Sequence, residues 1–257
     1  MRKLIINLYK IKILKRLVPS ALKIFLRIVN KYNIIINHNN LLVNLNLRNP
    51  IDREIYLKDS YENNQIEYLK KLIIQEKLEI FIDIGSHMGF YSINLSKLVK
   101  KTYSFEPILE NFNQLKKNIE INNYKNVEIY NLALSNKKEK VDMWVPDKDR
   151  TGGFSIYNKS DEELKVYKPN SIHKEKVLCN ILDEILNFKN KKIAIKIDVE
   201  RHEKSVIEGA INLLKKNNVL LQIEIFENRK KEVFEILKML NYKLINVINK
   251  DHYFQNY

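Results

Sequence analysis

Glu79-Ile80-Phe81-Ile82-Asp83-Ile84-Gly85-Ser86-His87-Met88-Gly89-Phe90-Tyr91 is an apolar, β-branched run that ends in an acid and two glycines four residues apart. The pattern predicts a buried strand, a tight turn and the start of a helix. Gly85 lets the chain turn with positive φ, or lets a ligand approach bare backbone. Gly89 keeps the helix start clear of side chains, where unpaired amides attract the polar end of a ligand. The spacing is not the G-x-G-x-x-G of dinucleotide binding. Asp83, just ahead of the first glycine, would also repel a pyrophosphate.

An acid in that place suits a cation. About twenty residues on, a second strand, Thr102-Tyr103-Ser104-Phe105, ends at Glu106-Pro107, where a carboxylate can accept both hydroxyls of a ribose. A cationic centre and a ribose together describe S-adenosyl-L-methionine (SAM), which is the expected cofactor.

Further along, Glu62 to Gln75, Ser92 to Lys101 and Ile108 to Asn122 read as helices, and Val127 to Tyr130 and Lys140 to Val145 as strands. Pro146 to Glu175, with Thr151-Gly152-Gly153-Phe154-Ser155, has no clear period and reads as a loop at the functional face or as a surface insertion. A short helix lies near Leu182, and Lys192 to Glu200 is the fourth core strand. Glu203 to Lys216 is its helix, with Gly209 in mid-course at a cost of roughly 1 kcal/mol unless something packs closely there. Val219 to Ile225 is a strand, Arg229 to Leu240 a helix, Tyr242 to Ile248 a strand and His252-Tyr253-Phe254 a last edge strand. This alternation predicts an α/β fold with a mostly parallel sheet covered on both faces, an antiparallel edge, and ligands at the carboxyl ends of the strands.

The 257 residues are 45% hydrophobic, enough for one sizeable core. The single cysteine, Cys179, excludes an intramolecular disulfide and fits a reducing, cytoplasmic setting. The formal net charge of +14 points to nucleic acid, an anionic membrane, or a merely Lys-rich composition. No run of about 18 apolar residues is free of charge. The opening Met1-Arg2-Lys3-Leu4-Ile5-Ile6 has too short an apolar part for a signal peptide and is expected to be retained. Residues 1–30 read as two basic amphipathic helices broken at Pro19. They would lie on an anionic membrane at its inner face, or cap the domain with their apolar side. Residues 33–58 alternate and read as a β-hairpin turning at His38-Asn39-Asn40. The expected division is residues 1–60 as helices and hairpin, and 61–257 as the catalytic domain.

From Tyr61 to Phe254 the sequence resembles the FkbM-type SAM-dependent methyltransferases. The resemblance rests on Phe81 to Gly89 with Tyr91-Ser92, Phe105-Glu106-Pro107, Asn131-Leu132-Ala133-Leu134-Ser135, Leu182-Asp183-Glu184, and Ile195-Lys196-Ile197-Asp198-Val199-Glu200 with Glu203 and Gly209-Ala210. It implies the class I methyltransferase (Rossmann-like) fold and methylation of a hydroxyl, often on a sugar or polyketide. The family usually has Gly-Ala-Asn in place of Gly85-Ser86-His87, and Glu-Gly-x-Glu in place of Glu200-Arg201-His202-Glu203.

Residue reading and resemblance together assign the cofactor to Asp83, Gly85, Ser86, His87, Gly89, Glu106, Pro107, Ala133 and Ser135. Methyl transfer to an alcohol benefits from a base. Asp198 and Glu200, at the fourth strand's tip on one face with Lys196, are the candidates, with His202 beside them. The alternative for Asp198 is a structural pair with Lys196, and for His202 an exposed position. His87, His173, Glu224 and Glu227 read as turn, loop and surface residues. No Cys/His spacing suggests zinc, and no metal site is assigned. The expected acceptor is a saccharide hydroxyl in a glycan, lipopolysaccharide or polysaccharide precursor. RNA is the rival substrate, but the Asn-Pro-Pro-aromatic signature of base-amino methylation is missing, so no nucleic-acid partner is expected. The remaining alternative is a non-catalytic, membrane-associated SAM binder.

Overall fold

The structure, a computed structural model, describes residues 2–146 and 172–257; the Thr151-Gly152-Gly153-Phe154-Ser155 stretch lies outside the described residues. The central sheet has seven strands. In spatial order they are β5 (Val127–Tyr130), β4 (Lys101–Phe105), β3 (Ile80–Ile84), β9 (Lys192–Ile197), β10 (Asn218–Glu224), β12 (Asp251–Gln255) and β11 (Lys243–Ile248). The five from β5 to β10 are parallel, and the β11–β12 hairpin closes one edge by antiparallel pairing. His252-Tyr253-Phe254 was expected to be outermost. It lies instead one strand in, because β11 folds back over it and takes the edge.

All five residues of β3 are buried. Phe81 packs with the cluster on one face of the sheet, and Ile80, Ile82 and Ile84 with the cluster on the other. The strand order reverses between β3 and β9, which opens a crevice beyond their carboxyl ends.

On the first face lie α4 (Asn63–Gln75), α5 (Phe90–Leu95) and α6 (Leu109–Ile121). The helix expected at Ser92–Lys101 is α5 followed by a 3₁₀ turn, Ser96–Leu98, and Lys101 already belongs to β4. The N-terminal elements share this cluster: α1 (Arg2–Lys10), α2 (Leu17–Val29), β1 (Asn33–His38), β2 (Leu41–Asn46) and α3 (Pro50–Lys58). Asparagines of α6 and of its C-terminal cap complete the open backbone of β2. The Leu42 amide donates to Asn122 Oδ1 at 3.0 Å, and the Asn44 amide to Asn118 Oδ1 at 2.7 Å.

Two N-terminal expectations need correction. The hairpin ends at Asn46, and residues 50–58 are helical. Asn49 caps that helix by accepting from the Ile51 amide at 3.0 Å, with Pro50 in the first turn. Pro19 does not break the chain either. It sits in the first turn of α2, where a missing N–H costs no helical bond, and the break falls at residues 11–16.

On the opposite face lie α8 (Glu203–Glu208), α9 (Ile211–Lys216) and α10 (Lys230–Met239). One helix was expected from Glu203 to Lys216, and the chain makes two. A Cβ on Gly209 would stand 2.1 Å from the Ser135 carbonyl oxygen, so the contact that excuses the glycine also interrupts the helix. Asp183, in α7 (Leu182–Ile185), caps α9 through the amides of Asn212 and Leu213 at 2.7 and 2.8 Å.

A second sheet joins β6 (Ala133–Leu134), β8 (Ile172–Asn180) and β7 (Glu139–Pro146). Residues 172–175 were expected in the loop and are instead the start of β8, paired with β7. Among the described residues, no helix is long and apolar enough to cross a membrane.

Candidate active site

At the end of β3 the chain turns through Gly85, at φ +78°. The amides of Gly85 and Ser86 both donate to the Phe105 carbonyl at 3.0 Å, and the Asp198 amide donates to the Ile84 carbonyl at 3.0 Å. A Cβ on Gly85 would lie 1.9 Å from the Asp198 carbonyl oxygen, so only glycine allows the β3 and β9 tips this close. His87 follows at φ +50°, a backbone state open to Asn and His, which accounts for the asparagine usual there.

Glu106 closes the second strand. Its buried carboxylate accepts from the His87 amide at 2.9 Å, the Ile108 amide at 3.0 Å and Asn111 Nδ2 at 3.3 Å. Burial pushes its pKa up to about 7 against these bonds. Beside it, Asp83 is fully buried and accepts from Ser92 Oγ at 2.6 Å, while its Oδ1 has no hydrogen-bond partner.

β9 ends at Ile197, in register with Ile84 and Ile223 on its neighbours. Asp198 therefore emerges next to Glu224, the last residue of β10. Lys196 Nζ holds the Asp198 carboxylate at 2.7 Å. Burial alone would raise the Asp198 pKa, but Lys196 outweighs it and keeps the group ionised. Burial would likewise pull the Lys196 ammonium down, but the carboxylates of Asp198, Glu62, Asp83 and Asp251 hold it above the ordinary lysine value. Glu224 shares a hydrogen bond with Asp198. Burial, then the charges of Asp198 and Glu200, push Glu224 up to about 8.

These tips surround a cleft of about 210 Å³. A smaller cavity of about 30 Å³ beneath it is lined by Asp83, Ser86 and Lys196 among others. The sequence of this chain matches the methyltransferase FkbM domain family over residues 83–245, more than half its length. The chain belongs to that family.

As an FkbM methyltransferase it has the class I fold, and SAM is its methyl donor. No protein of curated function matches its sequence. Its fold is similar to M. jannaschii TYW2 in complex with AdoMet (13% identity, TM-score 0.47, 88% of this chain and 84% of that one). It is also similar to an rRNA methylase from Streptococcus thermophilus (13%, 0.42, 76% and 93%) and a putative methyltransferase from Streptococcus mutans in complex with SAH (14%, 0.42, 74% and 95%).

Of the residues singled out from sequence, Gly85, His87, Glu106, Pro107, Ala133, Asp198, Glu200 and His202 line the cleft of the FkbM methyltransferase. Asp83 and Ser86 line the cavity beneath. Gly89 and Ser135 line neither. A Cβ on Gly89 would strike Leu115 of α6 at 2.4 Å, so that glycine serves helix packing. Ser135 Oγ meets His202 Nε2 at 3.0 Å. His202 is buried rather than exposed, and burial lowers its pKa, which keeps the imidazole neutral. His173 pairs with Val145 across the second sheet, in a strand and not a loop.

Glu224 and Glu62 were missed. Glu224 was read as a surface residue together with Glu227; Glu227 is exposed, but Glu224 faces the cleft. Its signal was its place as the last residue of the strand after β9. Glu62, at φ +46°, accepts from the Tyr91 hydroxyl at 2.8 Å at the cleft wall. No sequence signal marks it.

Arg201 stands where the family glycine is usual, and its φ of +78° is the left-handed state that favours glycine. That state costs a non-glycine residue about 1–2 kcal/mol. Arg201→Gly loses the guanidinium contact with the Phe226 ring and gains chain entropy when unfolded. These two effects offset much of the relieved strain, so the net expected effect is a small stabilisation of under about 1 kcal/mol, seen as a slightly higher melting temperature. A lower one would mean that the Arg201 side chain outweighs the strain.

Glu106 and Glu203, both pushed up to about 7 by burial, and Glu224, at about 8, keep protons in the folded state that the unfolded chain has already lost. Their stabilisation is fully present below the ordinary carboxylate pKa and disappears as pH rises through these raised values. Above pH 7 the depressed His202 is neutral in both states and adds nothing. The melting temperature of the SAM-free protein is therefore expected to fall by several degrees between about pH 7 and 9. Saturating SAM, which brings positive charge, should flatten the slope. A flat SAM-free profile in a thermal scan would contradict these shifts.

Proposed function

We propose that this methyltransferase transfers the methyl group of SAM to a hydroxyl oxygen of a saccharide in a glycan, lipopolysaccharide or polysaccharide precursor. The observation that carries this reading is the lining of the cleft. Glu62, Glu106, Asp198, Glu200 and Glu224 line it, and among the described lining residues there is no Lys or Arg. The ionised carboxylates among them, Asp198 foremost with Glu106 half ionised at neutrality, attract a sulfonium and repel the phosphates of RNA. Carboxylates also accept hydrogen bonds from several hydroxyls at once, as a neutral sugar offers.

The residues fit SAM. The partnerless Oδ1 of Asp83 suits its amino group, and Glu106 suits its ribose hydroxyls. Gly85, Ser86 and His87 supply the backbone between them, and Pro107 and Ala133 the apolar wall. When bound, SAM supplies an electrophilic methyl group. Asp198, held ionised by Lys196, accepts the proton of the acceptor hydroxyl, and Glu224 shares its hydrogen bond and steadies the charge. Glu200 orients the acceptor. His202, neutral and bound to Ser135, is the second candidate for the same proton.

The test is transfer of labelled methyl from SAM to saccharide precursors and to RNA in parallel. Alkali-stable label in the saccharide is expected, as for a methyl ether. Label in RNA would replace this reading, and no transfer to any acceptor would favour a non-catalytic SAM binder.

A further inference from the structure

The positive charge of this chain is concentrated in its N-terminal segment, outside the carboxylate-lined cleft. Residues 1–51 hold ten Lys and Arg and no Asp or Glu. Four of these or neighbouring cations, Lys23, Arg27, Arg48 and Arg53, line a second cleft between α2, the end of the hairpin and the start of α3, with no acid among its described lining residues. Arg48 lies over the Tyr32 ring at 4.0 Å, and Arg53 Nη1 donates to the Leu47 carbonyl at 2.9 Å. Two of the four cations are thus held in place before any ligand arrives.

Helix α2 beside this cleft has more apolar surface than the fold uses. Its residues step around the axis by about 100° each. Leu22 and Leu26 are buried in the core with Val18 packed beside them, which fixes the inward face. Leu17, Ile24 and Ile28 fall on another line, at spacings of seven and four, and remain 60%, 60% and 77% exposed. Phe25 lies between the two lines, half exposed. Lys23 and Arg27 follow on the other flank of the exposed line. A solvated helix does not need a second apolar stripe, whereas one lying on a bilayer does: apolar side chains enter the acyl boundary and basic ones meet the headgroups.

We propose that this face docks on an anionic phospholipid bilayer, with Leu17, Ile24 and Ile28 inserted and a lipid phosphate seated between Lys23, Arg27, Arg48 and Arg53. The docking is independent of methyl transfer and stands if the saccharide reading fails. The two clefts are neighbours, since Pro50 lines the basic one and Ile51 the carboxylate-lined one. A docked chain therefore works next to the lipid surface.

Co-sedimentation of the full-length protein with phosphatidylcholine vesicles, with and without phosphatidylglycerol, tests this. Binding to the anionic vesicles alone, weakened by salt, is expected. Lys23→Glu with Arg27→Glu should weaken it by about ten-fold or more, and Ile24→Asn with Ile28→Asn should weaken it at every salt concentration. All four positions are exposed, so SAM binding and melting temperature should not change. Three results would overturn the proposal: no binding to anionic vesicles at low salt, equal binding by the variants, or a dimer in solution that the Ile24/Ile28 variant dissociates. Binding of glycerol phosphate without vesicle binding would also overturn it, reducing the cleft to a small-anion site.

Discussion

Asp198→Asn is expected to cut turnover by about 10²–10⁴-fold, the usual contribution of a positioned base. The substitution keeps the side-chain shape and removes the charge that would take the acceptor proton. Lys196, the buried partner at 2.7 Å, then loses its nearest counter-charge. Removing one member of a buried pair can cost about 3–5 kcal/mol. Here the cost should be smaller, because Glu62, Asp83 and Asp251 also act on Lys196 and the asparagine oxygen can still accept from its ammonium. The protein should therefore fold, melt lower, and bind SAM with an affinity changed much less than turnover. Single-turnover kinetics beside calorimetry separates these effects. Full turnover in a folded Asp198→Asn protein would remove Asp198 from the chemistry. A protein that fails to fold would make the pair with Lys196 its main role, and Glu224→Gln would then report on proton transfer at the same strand tips.

Glu106→Gln should weaken SAM binding roughly ten- to a hundred-fold, since a charge-assisted hydrogen bond contributes about 1.5–3 kcal/mol. Glutamine can still accept from the loop amides through its oxygen. Its NH₂ group, however, turns a donor towards either a ribose hydroxyl or the amides of His87 and Ile108. The pH dependence supplies an independent check. With a pKa near 7 without cofactor, Glu106 is half protonated at neutrality, so wild-type affinity should rise with pH through that value and the variant should lose this component. Equal affinity in calorimetry for variant and wild type would show that the ribose is held elsewhere.

The methyl-transfer core was legible because its signals are local. β3 announces itself as a continuous apolar run, and Asp83, Gly85 and Glu106-Pro107 stand at strand ends, where the change of period marks the boundary. Strand–helix alternation was then enough for a mostly parallel sheet, and a parallel sheet brings its carboxyl ends together at the strand-order switch. Residue type and order along the chain thus settled the fold, the cofactor and the neighbourhood of Asp198.

Tertiary structure decided what depends on which segments touch. Glu224 and Asp198 are far apart in sequence and become neighbours only through the Ile197–Ile223 register of β9 and β10. Nothing near Glu62 indicates that a left-handed cap would turn it onto the same cleft. The break at Gly209 follows from the Ser135 carbonyl, a backbone atom more than seventy residues earlier. The sheet edge was misjudged for the same reason: β11 and β12 have equally strand-like sequences, and only pairing with β10 chooses between them. Periodicity reports which face of an element is apolar, whereas the partner of that face is fixed by packing that many distant segments make together.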